Sequence, residues 1–275
     1  MWTAEQRARH KVSKPKERRG YPTDISDKEW KLVEPLLPGA ARTGRPRRTA
    51  LREVINALRY LVRSGCEWRM LPNDFPPYQT VYYWFRRLMR RFLFRTIHDL
   101  ALMLDRMCEQ REVVPSAGIV DSQSVKAPCA RERGYDAHKK ISGRKRHISV
   151  DADGRLLAVN LTPADIADST GAQLVLDALV KRWPWVKHLF GDAAYDRRTL
   201  LDKAAYLNFT VEVVRGLQGQ NGFQVQPRRW VVERTFAWLM RYGRLVRDYE
   251  QRLDVSQAMI YIALGSSLLH RMRFR

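Results

Sequence analysis

Three cysteines in 275 residues, Cys66, Cys108 and Cys129, are too few and too scattered to build a framework. None stands in a CxxC pair, which excludes both a disulfide scaffold and a thiolate zinc site, and the thiols read as reduced ones inside a cell. No run reaches the ~18 apolar residues of a spanning helix. The first twenty residues lack the apolar core of a secretory signal. The six histidines show no HxxxH spacing, so they offer no paired metal ligands. There is no internal repeat and no low-complexity segment. Acid is scarce: 29 Asp and Glu stand against 50 Lys and Arg, a formal charge of +21.

Such a field attracts polyanions. Nucleic acid is the first candidate partner, and a cytoplasmic, nucleoid-associated location follows. An anionic membrane is the second, but it needs a basic amphipathic helix or a lipid anchor, and neither stands out. The 45% hydrophobic content is that of a globular chain. That length can bury one large core or two modest ones.

Three segments are expected: a basic flexible tail (1–22), a helical unit (23–112) and an α/β unit (113–275). Residues 1–20 hold seven Lys and Arg and two Glu, either a solubilising end or a DNA-touching arm. Ser26 with Glu29 is a capping-box pattern, and Trp30, Val33 and Leu37 follow at helical spacing. A basic loop follows, containing Arg45, Arg47 and Arg48. Leu51, Val54, Ile55, Leu58 and Leu61 make one face of a second helix over 49–63, which Gly65 ends. After a proline-rich turn, Thr80 is expected to cap a third helix, VYYWFRRLMRRF, and a fourth spans 96–110. Helix, turn, basic aromatic helix suggests a helix-turn-helix reader. Gln79, Thr80, Tyr82 and Tyr83 would then face base edges, with Arg86 and Arg87 on the backbone. The competing reading is a plain bundle with Tyr82, Trp84 and Phe85 in the core.

From residue 113 the period changes. GIVD reads as a short strand that ends in Asp121. RHISVDADGRLLAVNLTP reads as a hairpin turning at 151–154, with Asp151 and Asp153 building the turn. A helix over 169–182, with Leu174, Leu176, Leu179 and Val180 as its apolar set, precedes the strand VKHLFGD, which ends in Asp192. A helix over 197–207, the strand FTVEVV, a long helix over 229–247 and a last helix over 255–269 follow. Groups just past the carboxyl ends of strands in an α/β sheet share a crevice. Neighbouring Asp121 and Asp192 would repel unless a cation lies between them. Carboxylate oxygens suit Mg²⁺ or Mn²⁺. Glu233, on the helix after the last strand, is the candidate third acid of a two-ion site for in-line phosphoryl transfer on DNA.

Each acid also has a plainer reading. Asp121 fits a strand end, Asp192 a helix cap, and Glu233 an ion pair with Arg229 or Arg234. Asp165 and Asp168 are expected to cap the next helix, and Asp196 reads the same way. Lys145 and Arg146, in a run with Arg144 and His147, either steer phosphates or form a solvated charge run. Arg234, Arg241 and Arg244 would share one helix face as a phosphate stripe. The tryptophans 183, 185, 230 and 238 read as core.

The order hairpin, α, β, α, β, α with acids on the first strand, a later strand and the last long helix is the ribonuclease-H-like plan. The chain resembles the DDE transposases of bacterial insertion sequences, in the group of the fourth and fifth insertion-sequence families and closest to the fifth. The resemblance runs through YPTDISDKEWKLVEPLLP, the stretch from Gly44 to Leu88, GIVDSQSVK, GYDAHKKISGRKRHISVDADG, FGDAAYD and RRWVVERTFAWLMRYGRLVRDYE. It implies Asp121, Asp192 and Glu233 as the acids holding two Mg²⁺ ions. It further implies binding to the element's terminal inverted repeats and to target DNA, a homodimer on DNA, and no small-molecule substrate. The related group carries Tyr-x2-Arg-x3-Glu-x6-Lys. Arg229 and Glu233 fit it, but Gln226 holds the Tyr position and Met240 the Lys position, with Arg241 beside it.

Overall fold

The computed structural model describes residues 3, 5, 20–39, 47–215 and 229–272. Arg45, Gln226 and most of the basic tail lie outside them. The helical part opens with α1 (Asp27–Val33), where the capping box forms: the Ser26 hydroxyl accepts from the Glu29 amide at 3.3 Å, and the Glu29 carboxylate accepts from the Ser26 amide at 2.6 Å. α2 spans Leu51–Ser64, and all five residues of its expected apolar face are buried. Gly65 ends it in a left-handed conformation (φ +77°) that side-chain-bearing residues rarely adopt.

α3 (Tyr78–Arg90) begins two residues before Thr80. The Pro77 carbonyl accepts from the amides of Thr80 and Val81, so Thr80 lies inside the first turn instead of capping it. α4 covers Leu93–Cys108. Phe85 is fully buried and stacks on Phe94, an arrangement worth roughly 1.5–3 kcal/mol in burial alone. Tyr82 and Tyr83 are exposed, and only Phe85 of the three expected core aromatics is fully enclosed.

The remaining elements are β1 (Ala117–Lys126), β2 (Gly134–Asp136), β3 (Ile141–Val150), β4 (Leu156–Pro163), α5 (Asp168–Arg182), β5 (His188–Gly191), α6 (Arg198–Tyr206), β6 (Thr210–Val213), α7 (Arg229–Leu239), α8 (Gly243–Val246) and α9 (Leu253–Met272). β2 is too short to show in the pattern of the sequence. β3 is central to the antiparallel part, with β1 on one edge and β4 and the short β2 on the other. β5 runs parallel to β1, and β6 parallel to β5. Antiparallel strands followed by two parallel ones, with helices on both faces, is the ribonuclease-H-like arrangement.

α5 differs in detail from the apolar set read off the sequence. Val175 is buried, whereas Leu174 is 43% exposed. The expected single helix over 229–247 is broken. A Cβ on Gly243 would stand 2.7 Å from the Ser64 carbonyl oxygen, so the chain crosses the end of α2 by backbone-to-backbone contact and bends there into α8. α9 packs on α4 and α2, and the buried apolar side chains of both parts form one continuous core. Trp183 is in that core and donates to the Leu157 carbonyl at 2.9 Å, while Trp185 and Trp230 are exposed. Among the described residues no helix is long and apolar enough to cross a membrane.

Candidate active site

The register of β1 against β5 pairs Ile119 with Phe190 and, continued by two residues, sets Asp121 level with Asp192. Asp192 follows the carboxyl end of β5, whereas Asp121 lies in the middle of β1 and not at the strand end expected of it. Both are half-buried. Each is braced by a backbone amide: Ser122 donates to Asp121 at 2.7 Å, and Ala194 donates to Asp192 at 2.9 Å. The Asp192 contact caps the turn Ala193–Tyr195, so its expected capping role and its place at the crevice coexist.

Tyr195 closes this end of the sheet. Its ring is buried against Gly191, and burial raises its phenol pKa well above the usual value. The negative charges of Asp121, Asp168 and Asp192 raise it further. Three carboxylates therefore surround one buried hydroxyl. Asp168 does not cap α5. It accepts from the Ser122 hydroxyl at 2.7 Å and pairs with Lys145 at 2.9 Å. Burial pushes the Asp168 carboxyl up, but the Ser122 hydroxyl and the Lys145 ammonium outweigh it, leaving the pKa below the usual carboxylate value. No spacing pattern in the sequence marks Asp168 or Tyr195 as neighbours of Asp121 and Ser122. Packing of α5 on β1 and on the turn Ala193–Tyr195 brings them together.

Glu233 is exposed on α7, which packs against β1 and β3. The helix is fixed to the β3–β4 turn: Arg234 donates to the Asp153 carbonyl at 2.8 Å, and the Thr235 hydroxyl to the Gly154 carbonyl at 2.8 Å. Gly154 (φ +85°) has no room for a Cβ beside that hydroxyl. Among the described residues no three His, Cys, Asp or Glu side chains stand close enough to hold one metal ion. The register thus sets Asp121 level with Asp192, and Glu233 lies on the helix that packs on β1 and β3. Carboxylate oxygens are the donors that fit a hard divalent cation.

Several expected phosphate contacts are instead structural. Arg146 is fully buried and donates to the Leu245 carbonyl at 2.8 Å and to Gln123 at 3.3 Å. Burial lowers its pKa to about 10. Lys145 is 6% exposed and is committed to Asp168 and the Ile166 carbonyl. Arg244 is buried on α8, bonding Glu250 at 2.8 Å and the Cys66 carbonyl at 2.9 Å. With the helix broken, Arg234, Arg241 and Arg244 form no common stripe. Arg234 lies between the rings of Trp230 and Trp238, and Arg241 is exposed beyond the end of α7. Asp196 pairs with Arg215 and does not cap α6. Asp151 does build the hairpin turn, accepting from the amides of Asp153 and Arg155. The same turn is gripped from α4, where Arg106 pairs with Asp151 and Asp105 with Arg155. Arg47 folds back to the Pro38 carbonyl at 3.0 Å, and Arg48 is exposed. Only the backbone of Arg229, at the start of α7, is described.

A mixed sheet of this order, with helices packed on it, fits the ribonuclease-H-like class of units. Comparison with known proteins makes this specific. The family described as Transposase DDE domain matches residues 113–268, more than half of the chain, and the chain belongs to it. Residues 25–98 match a second family, described as putative transposase of IS4/5 family. The chain is 33% identical over 138 residues to the putative transposase for insertion sequence element IS402 from Burkholderia cepacia, covering 46% of this chain and 62% of that protein. It is 26% identical over 110 residues to the uncharacterized protein y4sN of Sinorhizobium fredii, covering 40% and 86%. The Mos1 mariner paired end complex with Mn is 13% identical, with 98% of this chain and 91% of that chain covered. The TM-score there is 0.30, a level at which no shared fold is inferred.

Proposed function

We propose that this protein is an insertion-sequence transposase that cuts DNA at the element's ends and joins the freed ends to target DNA. The observation that supports the reading is the β1–β5 register, which continued by two residues sets Asp121 level with Asp192, with Glu233 on the helix packed against β1. These three residues would hold two Mg²⁺ ions, or Mn²⁺. A divalent ion there supplies Lewis acidity to the attacking and leaving oxygens of an in-line displacement. The backbone amides of Ser122 and Ala194 fix the rotamers of the two aspartates. Lys145 and Ser122 tie Asp168 down, and the buried Tyr195 ring excludes water from behind the pair.

Two displacements use this one site. Water attacks a phosphodiester at the element end, releasing a 3′-hydroxyl. That hydroxyl then attacks a target phosphodiester, so one bond forms as one breaks and no covalent enzyme intermediate is needed. In the helical unit, the exposed face of α3 with Gln79, Tyr82 and Arg87 supports contact with the terminal inverted repeats as a helix-turn-helix variant. Thr80 and Arg86 are half-buried beside it, and Arg86 donates to the Tyr82 hydroxyl. Two ends must meet, which calls for a homodimer on DNA.

The test uses labelled element ends and a target plasmid with Mg²⁺. Asp121→Asn, Asp192→Asn and Glu233→Gln should each keep DNA affinity and lose cleavage. Full cleavage by one of them removes that residue from the site. Hydrolysis without joined product in the wild type turns the reading into a two-metal nuclease. Binding without hydrolysis turns it into a transposase-derived repressor.

A further inference from the structure

A cleft of about 500 Å³ opens between α2, the end of α7 and the C-terminal part of α9, on residues the proposed chemistry leaves unused. Among the described residues its lining carries Arg59, Arg63, Arg241, Arg271 and His270, and no carboxylate. Two of these charges are compensated from behind. Glu29 lies 3.3 Å from Arg59, and Asp105 lies 3.4 Å from Arg271.

Arg63 is held differently. It donates to the Arg241 carbonyl at 2.8 Å, and its guanidinium lies 5.3 Å from the Tyr242 ring centre. Arg271 lies 5.5 Å from the Trp238 ring centre. The two aromatic rings thus carry arginines and order them, rather than offering faces to a base. Ser266 and Ser267 add hydroxyls from α9. Arg63 and Arg241 stand together in a cleft whose described lining holds no acid, and an anion with several acceptor oxygens would offset their positive charge through forked hydrogen bonds.

We infer that this cleft seats a phosphate group of a nucleotide, at the junction where the helical unit meets α7 and α9. The inference rests on the DNA reading and adds a contact to it. The phosphate belongs either to a strand of bound DNA or to a free nucleotide, and both present the same oxygens. Arg63 and Arg241 are exposed at the mouth, so glutamine at either leaves the core intact.

The experiment uses the full chain as wild type, as the Arg63→Gln/Arg241→Gln double variant, and as Arg198→Gln. Arg198 is 94% exposed on α6 and outside the cleft. One arm measures duplex affinity by anisotropy across a salt series. The other titrates dAMP at constant ionic strength by calorimetry. If the phosphate is strand-borne, the double variant loses about one unit of salt slope and about fivefold affinity at 0.15 M salt relative to Arg198→Gln, and dAMP does not saturate. If it is a free nucleotide, dAMP saturates on the wild type and not on the double variant. A double variant that matches Arg198→Gln in both arms overturns the inference. A wild type that binds DNA with this slope difference but never cleaves it refutes the transposase reading and leaves the cleft standing.

Discussion

Arg144 gives the sharpest test of how this chain uses its positive charge. It lies in the basic run that leads into β3, yet its side chain is wholly buried. It donates to Asp248 at 3.0 Å and to the carbonyls of Glu132, Glu250 and Gln251 at 2.9, 2.8 and 2.8 Å. Asp248 is itself 2% exposed and also accepts from the Ser256 hydroxyl at 2.6 Å. Arg144→Met removes the cation and leaves an anion and three carbonyls in the interior. Breaking a buried pair in this way costs about 3–5 kcal/mol, against a total stability of roughly 5–15 kcal/mol. At about 2–4 °C per kcal/mol the melting point should fall by roughly 6–20 °C. Adding Asp248→Leu should recover part of the loss, with a coupling of about 0.5–3 kcal/mol. Calorimetry and urea titration of the four proteins read the cycle. A variant that melts with the wild type and loses only DNA affinity would refute the reasoning and return Arg144 to the surface.

Three further outcomes are expected. Burial, with Lys145 and Lys139 adding and Asp168 opposing, holds the His147 pKa down at about 4. Stability from the neutral ring is then complete above the unfolded value near 6.5 and is lost as pH falls toward 4, about 3 kcal/mol in all. Urea midpoints between pH 7 and 4.5 should drop more for wild type than for His147→Asn, and equal drops would count against it. Gly243→Ala should destabilise the crossing over α2, since Ser64 lies 2.7 Å from the new methyl, and the effect is read as a lowered melting point. Arg244→Gln should lose the bridge from α8 to the Cys66 carbonyl and lower stability by about 1–3 kcal/mol, measured in urea.

Much of this was written in local pattern. The capping box at Ser26, the apolar face of α2, the stop at Gly65 and the turn at Asp151 each depend on residues within one or two turns of chain, and each formed where the spacing put it. Asp192 follows its strand as the pattern suggested, but Asp121, read as ending one, lies in the middle of β1, because pairing with β3 carries that strand on to Lys126. What escaped depends on distant partners. Nothing near Arg146 or Arg244 in the chain tells that Leu245 or Cys66 supplies their acceptors, so a basic run looked like a surface. The break at Gly243 is set by the end of α2, some 180 residues away. Asp168, in the first turn of α5, looked like a helix cap because its partners, Ser122 and Lys145, belong to β1 and β3.

The β3–β4 turn has a practical corollary. Asp151 and Arg155 are enclosed there by Asp105 and Arg106 from α4, while Arg234 and Thr235 of α7 hold the next two carbonyls. A fragment cut at residue 113 would keep every acid of the proposed centre but strip the turn of its counter-ions and bare the side of α9 that rests on α4. Such a fragment should be insoluble or poorly packed, and the orientation of Glu233 would suffer with it. Dissection of this protein into a binder and a cutter is therefore expected to fail at this bend as well as along α9.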